Sequence, residues 1–426
     1  MMKKMAYQNV KGTQDFLPED EAVRSKVRRV LEDIFLVYGC RPLETPILNF
    51  KELMTSKYSG GAEIVKEMYS LRDQGQRELS LRYDLTIPFA KVVAMNPDIR
   101  MPFKRYEIGK VFRDGPIKAG RYREFTQCDV DVVGVESQAA EAELMQMAVL
   151  VFRELKLDIT ISYNNRKVMA GMLEVMGVAD RDIAGVTLTL DKIKKIGIVG
   201  VSEELLMKGI NQSSIERIKN WLQVEADIDL SYLEQYIEQN EQLRQGVEEV
   251  KELENLLTYL NLGKVCIFNP FLARGLEIYT GTVYEIFLRN GTITSSIGSG
   301  GRYDNAIGGL IGSGESYSTV GLSFGLDVIF AAMKVQPLES AIEIDYYIIP
   351  IQTQKESLKV AAVFRQKGFR VEVDLTNRKV GKALERANKM RISAVIIIGE
   401  TEVNNNQVMI KNLQTGEERV ESFSFN

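Results

Sequence analysis

The sequence of 426 residues contains no histidine. This absence excludes serine–histidine and cysteine–histidine hydrolases, histidine general bases and metal sites with histidine ligands. Catalysis would have to depend on carboxylates, arginines, lysines, tyrosines, backbone donors or a bound ion. The three cysteines, Cys40, Cys128 and Cys266, lie far apart and form no C-x-x-C pair. We therefore predict free thiols in a reducing compartment, and neither a disulfide framework nor a zinc ribbon.

Long apolar runs are also absent. The first residues lack the apolar core of a signal peptide, and no run approaches the roughly 18 apolar residues of a membrane-spanning helix. We therefore expect a cytoplasmic protein. The 54 basic and 58 acidic residues give a net charge of −4. This balance disfavours a globally basic nucleic-acid-binding protein but leaves room for a local basic patch.

Periodic patterns predict the first structural elements. Apolar residues recur at helical spacing after Pro18, which predicts a helix there. Residues 79–134 have the pattern of short strands joined by charged loops. Two of these strands, at 103–111 and 124–133, form a predicted antiparallel hairpin. An amphipathic helix over residues 138–155 follows the hairpin.

Changes in composition along the chain predict its domains. Residues 166–261 are rich in Glu, Lys and Gln and predict a helical insertion, because a strand pattern with dense glycine resumes after them. We therefore predict a core formed by residues 1–165 and 262–332. Strands alternate with helices within residues 342–426, which predicts a separate α/β domain with a mixed sheet. The predicted fold class is α+β.

Arg113 opens the loop of the predicted hairpin, and Gln127, Asp129 and Asp131 follow on its second strand. Successive side chains of a strand alternate between its faces, so these three residues share one face. Acids opposite an arginine suit a polar ligand that carries charges of both signs. An exposed hairpin with solvated charges explains the same pattern.

Arg274 lies in the segment 272–282, whose apolar flanks place it at the end of a predicted strand. A buried arginine needs an anionic partner, and its planar guanidinium suits a phosphate. The partner is a ligand phosphate or a structural carboxylate, for instance that of Glu277. The glycine-rich run 298–304 would allow a ligand to approach the backbone closely, or it is a plain turn. It matches neither the dinucleotide fingerprint nor a P-loop.

The C-terminal segment 359–391 contains ten basic residues and only three acidic ones. This local surplus inside an acidic protein fits a nucleic-acid contact face. Taken alone, an ordinary solvated helix face is the simpler interpretation.

These features occur in the same order in the histidyl-tRNA synthetases, a family of class II aminoacyl-tRNA synthetases that the chain resembles over nearly its whole length. The segments that carry the resemblance are KGTQDFLP (11–18), the motif 1 region with Pro46, the motif 2 hairpin with GRYREF (120–125), the histidine signatures LARGLEIY (272–279) and GGRYD (300–304), the motif 3 segment 320–329, and a tail that resembles the class IIa anticodon-binding domain.

The resemblance implies a class II antiparallel-sheet catalytic core and a homodimer that forms through motif 1. It also implies a reaction in which L-histidine and ATP form histidyl-adenylate and pyrophosphate. Mg²⁺ would be bound by the pyrophosphate oxygens, and the histidyl group would then pass to the 3′ end of tRNA-His. Arg113 would hold the α-phosphate, and Arg274 would stabilise the charge that develops on it.

The resemblance further implies which residues bind each substrate. Asp84, Thr86 and Gln127 would hold the α-amino group of histidine. Asp131 and Tyr279 would recognise the imidazole, because a carboxylate and a phenol supply an acceptor and a donor. The identity of any protein-bound metal stays open. The implied residues are Asp84, Thr86, Gln127, Asp131, Ile278 and Tyr279 for histidine; Arg113, Asp114, Arg121 and Arg302 for ATP; and Lys118, Arg378 and Lys379 for tRNA.

Two departures from the family pattern concern ATP. Gly115 stands where many motif 2 sequences have a glutamate, so either Asp114 substitutes for it or the backbone contacts adenine. Val328 stands where motif 3 usually ends with the arginine that clamps the γ-phosphate, so we expect Arg302 or Arg121 to compensate.

Two alternatives to an active enzyme stay open. One is a non-catalytic paralogue that senses histidine or uncharged tRNA. The other is a regulatory subunit of histidine biosynthesis, which resembles the catalytic core but normally lacks the anticodon-binding domain. The missing histidines suggest a separate hypothesis, namely selection for translation when charged tRNA-His is scarce. Drift in an AT-biased lineage is the alternative explanation.

Overall fold

The computed structural model describes residues 7–56, 65–117, 122–223, 230–273, 278–312, 315–335, 344–376 and 378–425, except for the side chain of Lys194. The chain divides into two compact units. The larger unit comprises Met1–Asp15 and Arg24–Pro337, and the smaller one comprises Phe16–Val23 and Leu338–Asn426.

An eight-stranded sheet is the centre of the larger unit among the described residues. Strand neighbours run antiparallel except at the two ends of the sheet, where the outermost strand pairs in parallel. This largely antiparallel sheet confirms the predicted fold class. In spatial order the strands are Arg41–Pro42, Phe103–Phe112, Glu124–Val133, Thr319–Gly325, Gly298–Arg302, Thr282–Leu288, Ile159–Asn165 and Cys266–Phe268.

The predicted hairpin is confirmed, with strands Phe103–Phe112 and Glu124–Val133 in antiparallel register. One face of this sheet is apolar and packs under helices. Phe324 on that face lies 5.8 Å, ring to ring, from both Phe35 and Phe152, which belong to two different helices. The side chains that alternate with these apolar residues therefore face the opposite side of the sheet, where the polar residues lie.

Helices surround this sheet, and several of them occupy the predicted insertion. The helix Ile193–Met207 is broken at Gly197, whose φ of 67° lies in the left-handed region that glycine adopts readily. The helices of the larger unit are Pro18–Val37, which begins in the smaller unit, Lys51–Met54, Thr86–Met95, Ala139–Glu154, Arg166–Val175, Asp180–Leu190, Ile193–Met207, Gln212–Leu222, Leu230–Glu234, Glu241–Tyr259, Asn305–Ile311 and Leu326–Lys334, together with the 3₁₀ turn Ile237–Gln239.

A small three-stranded sheet also belongs to the larger unit. Its strands, in spatial order, are Leu48–Phe50, Glu78–Leu81 and Ser70–Arg72, and both pairings are antiparallel. Leu48 and Phe50 point to its exposed face, while Asn49 between them is buried.

The smaller unit is an α/β domain with a mixed five-stranded sheet, as predicted. Helices cover both faces, with Phe364 packed on one and Ala383 on the other. Its strands in spatial order are Val371–Val373, Tyr346–Pro350, Ala394–Ile398, Gln407–Asn412 and Glu418–Ser422, of which the first three are parallel. Phe364 belongs to the helix Gln354–Gln366 and Ala383 to the helix Val380–Lys389, and a short helix, Glu400–Asn404, follows them in the chain.

The structure adds elements that the sequence patterns missed. Thr86–Met95 is a helix inside the region predicted as short strands. The sequence pattern missed it because its apolar residues form no clear stripe at helical spacing. The strand Glu418–Ser422 is an exposed edge strand, and its side chains carry little apolar pattern. No helix of the described residues is long and apolar enough to span a membrane.

Candidate active site

The candidate site lies on the polar face of the large sheet. Gln127, Asp129 and Asp131 alternate along one strand and share this face. Across the sheet, Asp131 pairs with Arg105 on one side and with Gly321 on the other. The neighbouring strands thus place Arg105 and glycines beside the predicted polar residues.

Asp131 is held by two partners on this face. Its Oδ2 lies 2.6 Å from Nη2 of Arg105, and its Oδ1 accepts a hydrogen bond from the hydroxyl of Tyr303. All three side chains are buried. Burial raises the pKa of Asp131, and the neighbouring Arg105 opposes that rise. Asp131 is therefore a fixed carboxylate in the floor of the site.

Two glycines keep the surface between Asp131 and Tyr279 flat. A Cβ atom on Gly321 would collide with Oδ1 of Asp131, and one on Gly301 would lie 2.8 Å from Cδ1 of Tyr279. Gly301 and Gly321 are paired across adjacent strands, so the Tyr279 ring and the Asp131 carboxylate lie on the same side of the sheet. The structure therefore brings these two predicted imidazole-binding residues to one surface.

Gln127 lies at the other end of the same row. Its Nε2 donates to Oγ of Ser323 at 2.9 Å, and its Oε1 has no hydrogen-bond partner within the described residues. This amide oxygen is therefore a buried acceptor without a partner among the described residues, on the same strand face as Asp131.

Asp84 and Thr86 lie where the chain enters the helix Thr86–Met95. Oδ1 of Asp84 accepts from the backbone N–H of Ile87 at 3.1 Å. Burial raises the pKa of Asp84, whereas these backbone hydrogen bonds and Arg113 lower it. Ile278 packs against the cluster that contains Ile87, so this signature residue lies beside the same helix entrance.

Arg113 lies between two aromatic rings. Its guanidinium carbon is 4.1 Å from the ring centre of Tyr83 and 5.0 Å from that of Phe125. Its Nε donates to the carbonyl oxygen of Tyr83 at 3.2 Å. These contacts hold the plane of the guanidinium in one orientation near Asp84. An arginine that binds a phosphate needs such a fixed orientation.

Comparisons with known proteins agree with this geometry. The family model for histidyl-tRNA synthetase matches residues 12–329, and the model for an anticodon-binding domain matches residues 345–424. The chain belongs to the histidyl-tRNA synthetase family. The predicted resemblance is thereby confirmed.

Individual relatives cover the whole chain. It is 56% identical over 425 residues to histidine–tRNA ligase 2 of Shouchella clausii, with 100% of both chains covered. A crystal structure of histidyl-tRNA synthetase from Nostoc sp. PCC 7120 is 29% identical, with a TM-score of 0.85 and coverage of 98% and 97%. A Bacillus halodurans structure titled ATP phosphoribosyltransferase regulatory subunit/histidyl-tRNA synthetase, 19% identical with a TM-score of 0.77 and coverage of 93% and 99%, shares the fold.

The histidyl-tRNA synthetase pattern is altered around motif 2, and the structure shows what fills the space. A Cβ atom on Gly115 would lie 2.8–2.9 Å from the carboxylate of Glu67. Asp114, the predicted substitute for the missing glutamate, is exposed and forms an ion pair of 2.8 Å with Arg123. The backbone N–H of Asp114 also donates to the carbonyl of Glu67. Two carboxylates therefore lie beside the glycine.

Arg302, which is predicted to bind ATP, is bound to a carboxylate of the protein. Its Nε and Nη2 lie 2.7 and 2.8 Å from the two carboxylate oxygens of Glu141, and the pair is buried. Its Nη1 donates to the carbonyl of Val135. These contacts favour a structural ion pair, and the role of Arg302 in ATP binding stays a prediction.

The motif 3 region also has a structural ion pair. Asp327, which precedes Val328, is buried; its Oδ1 lies 2.5 Å from Nη1 of Arg24 and its Oδ2 accepts from the backbone N–H of Thr126. This bond holds the backbone immediately before Gln127. The helix of motif 3 thus supports the strand that carries the candidate ligand-binding residues.

Five predicted residues remain. Arg274, Lys118 and Arg121 fall outside the described residues. In the smaller unit, Nη1 of Arg378 lies 3.3 Å from Asp374, and Lys379 is exposed directly before the helix Val380–Lys389.

Sequence reasoning missed Arg105 and Tyr303 as site residues. Tyr303 was part of the quoted GGRYD signature, but its hydroxyl could be assigned to Asp131 only once the two strands were paired. Arg105 alternates with Glu107 along the first hairpin strand, and two residues of opposite charge on one face of a strand were the available signal. Within the described part of the chain, no group of three or more metal-ligating side chains is assembled.

Proposed function

We propose that the chain is a histidine–tRNA ligase. It activates L-histidine with ATP to form histidyl-adenylate and pyrophosphate, and it then transfers the histidyl group to the 3′ end of tRNA-His. The observation that carries the proposal is the shared sheet face on which Gln127, Asp131 and Tyr279 surround a flat glycine floor, next to Arg113.

In this proposal the pocket selects histidine by its polar edges. Asp131 and Tyr279 supply an acceptor and a donor for the imidazole, and Asp84, Thr86 and Gln127 hold the α-amino group, with Ile278 at the side. A pocket that hydrogen-bonds both ring nitrogens rejects isosteres, because they would leave its buried polar groups unpaired.

The chemical step requires cations at the α-phosphate. The histidine carboxylate attacks the α-phosphorus, and pyrophosphate leaves in line with it. Arg113, held between Tyr83 and Phe125, binds the α-phosphate, and Arg274 of the signature segment stabilises the negative charge in the transition state. No proton transfer to a histidine side chain is needed, which agrees with the empty histidine count.

We propose Arg113, Asp114 and Arg121 as ATP-binding residues and leave out Arg302, because it is bound to Glu141. Mg²⁺ would neutralise the pyrophosphate oxygens. Without an assembled metal cluster in the described residues, the ATP phosphates themselves would be its main ligands.

For tRNA, we propose that Arg378 and Lys379 contact the anticodon end and Lys118 contacts the acceptor end. The domain boundaries follow the sequence prediction: a core of residues 1–165 and 262–332, a helical insertion of 166–261, and an anticodon-binding domain of 342–426. The basic surplus of the last domain supports contact with phosphates.

We further propose that the enzyme is a cytoplasmic homodimer. Leu48, Phe50 and Leu71 are exposed on one face of the three-stranded sheet, with 48, 59 and 42% of their surfaces accessible. Three neighbouring large apolar side chains on a sheet face favour burial against another protein surface. Motif 1, which this region resembles, forms the class II dimer interface.

Histidine-dependent exchange of pyrophosphate into ATP tests the activity directly. The proposal expects exchange by the wild-type protein that is lost on Arg274→Ala, while tRNA binding is retained. If histidine binds but no exchange occurs, the protein is a histidine sensor instead. Equal loss of exchange and tRNA binding in Arg274→Ala would contradict the role of Arg274.

A further inference from the structure

Asp129 is a buried carboxylate on the site face with no assigned role. It lies between Gln127 and Asp131 on the same strand, and its side chain is almost fully buried. Its Oδ1 has no hydrogen-bond partner among the residues that the structure describes. A buried carboxylate oxygen without a partner is costly, so its retention calls for an explanation.

The surrounding charges are paired without Asp129. Arg82 lies 2.7 Å from Glu107, and Arg105 lies 2.6 Å from Asp131. In the described part of the chain, no lysine or arginine nitrogen lies within ion-pair distance of Asp129. Arg105 acts electrostatically on Asp129, but its ion pairs are with Asp131 and Glu107. Asp129 is therefore a buried carboxylate without an ion pair among the described residues.

The geometry of the strand places Asp129 under any bound amino acid. Residues two apart on a strand are about 6.6 Å apart, so Gln127 and Asp131 are separated by roughly 13 Å with Asp129 midway. A ligand that contacts both of the outer residues must pass over the middle one. Ser323 is paired with Asp129 on the neighbouring strand, and its hydroxyl hydrogen-bonds the carboxylate.

We propose that Asp129 is a further substrate-binding residue, whose carboxylate pairs with a protonated nitrogen of the bound amino acid. The inference rests on the proposed function and deepens it. The substrate supplies an ion-pair partner for Asp129, and the pairing favours a ligand with a protonated nitrogen at this position. Asp131, already paired with Arg105, contributes a fixed acceptor rather than a free charge.

The titration of Asp129 agrees with this role. Burial raises its pKa to about 7, with Asp131 and Asp84 adding to the rise and Arg105 and Ser323 opposing it. The groups that face it are Arg105 and Glu107 on one neighbouring strand, Ser323 on the other, Asp131 on its own strand and Asp84 at the helix entrance. A bound cation would favour the ionised form, so ligand binding would release a proton near neutral pH.

The test is Asp129→Asn in the full-length protein, assayed by pyrophosphate exchange. Asparagine keeps the shape and the contact with Ser323 but removes the charge. The expected result is a KM for histidine raised about 10-fold or more, with the KM for ATP unchanged and resistance to urea equal to or above wild type. Asp98→Asn, at an exposed position, is the matched control and should change none of these quantities.

Two outcomes would overturn the inference. One is a KM for histidine within twofold of wild type. The other is an equal rise of the KM values for histidine and for ATP together with lower resistance to urea, which indicates a structural role. If the wild-type protein itself shows no histidine-dependent exchange, the proposed function fails, and this result is distinct from failure at Asp129.

Competition by imidazolepropionate, which lacks the α-amino group, identifies the nitrogen. If Asp129→Asn weakens the binding of histidine but not that of the analogue, the α-ammonium is the partner of Asp129. If it weakens the binding of both compounds to the same extent, the ring nitrogen is the partner. Equal binding of both compounds by the mutant and by wild type would contradict the pairing altogether.

Discussion

Arg105 and Asp131 form an ion pair between the second and third strands of the large sheet, with 2.6 Å between Nη2 and Oδ2 and with both side chains buried. The guanidinium also lies 4.3 Å from the ring centre of Phe89, so it is enclosed on several sides. A buried pair of this kind contributes little net stability, but breaking it leaves one charge uncompensated. The pair therefore couples the stability of the core to the shape of the proposed histidine pocket.

Asp131→Asn should destabilise the protein by roughly 3 kcal/mol, because buried Arg105 would lose its 2.6 Å ion pair and keep only the longer one of 3.7 Å with Glu107. The free energy of unfolding, measured by urea titration, checks this value. Glu78→Gln removes a partner of Arg72 in an exposed pair of 3.3 Å and should cost about 1 kcal/mol or less. Similar losses for the two variants would show that Arg105 finds another partner.

Asp129→Asn should change the pH dependence of stability. The pKa of Asp129 in the folded protein is about 7, above its usual value near 3.9, so the folded state binds the extra proton between about pH 4 and pH 7. This group therefore makes the protein less stable as pH rises through that range. The unfolding free energy of Asp129→Asn should decline less than that of wild type between pH 4 and pH 7, and parallel curves would contradict the assignment.

Gly321→Ala should raise the KM for histidine strongly, because the new Cβ atom would displace the carboxylate of Asp131. The KM for ATP should change little, since Arg113 is held by other contacts. The control is Gly185→Ala in the helix Asp180–Leu190, where no atom lies near the new Cβ atom. That control should stabilise the protein by about 0.5 kcal/mol and leave both KM values unchanged.

Leu48→Asp should convert the proposed homodimer into monomers, because a charge in the apolar patch would have to be buried in the interface. Sedimentation velocity reports the mass. Leu358→Asp is matched to it, since both leucines are 48% exposed and Leu358 lies in the smaller unit. Dimers in both variants, or monomers in the wild type, would remove the support for motif 1 as the interface.

The missing histidines should matter when histidine is scarce. Replacing three exposed residues, Asn96, Gln239 and Gln414, by histidine should leave the purified activity unchanged. Synthesis of this variant in histidine-limited cells should fall below that of a variant with serine at the same positions, because its translation needs charged tRNA-His. Equal synthesis rates by pulse labelling would favour drift as the origin of the composition.

Local patterns were sufficient for the hairpin and for the C-terminal domain. Alternating side chains predicted the strands Phe103–Phe112 and Glu124–Val133, and the alternation of strands with helices predicted the α/β domain that contains the helix Val380–Lys389. These elements carry their signal in consecutive residues, since each has one buried and one exposed face. The helix Thr86–Met95 is buried on most sides and so carried no such signal.

The sequence by itself determined the family, the order of the motifs and the common face of Gln127, Asp129 and Asp131, because strand alternation is a local property. Only the tertiary structure decided which charges meet. The sequence did not show that Arg302 pairs with Glu141, which depends on how a strand packs against a helix. Nor did it show that Asp131 contacts Arg105 and Tyr303, which depends on how the strands pair. Ion pairs between residues far apart in sequence depend on the register of the sheet, and no local pattern encodes that register.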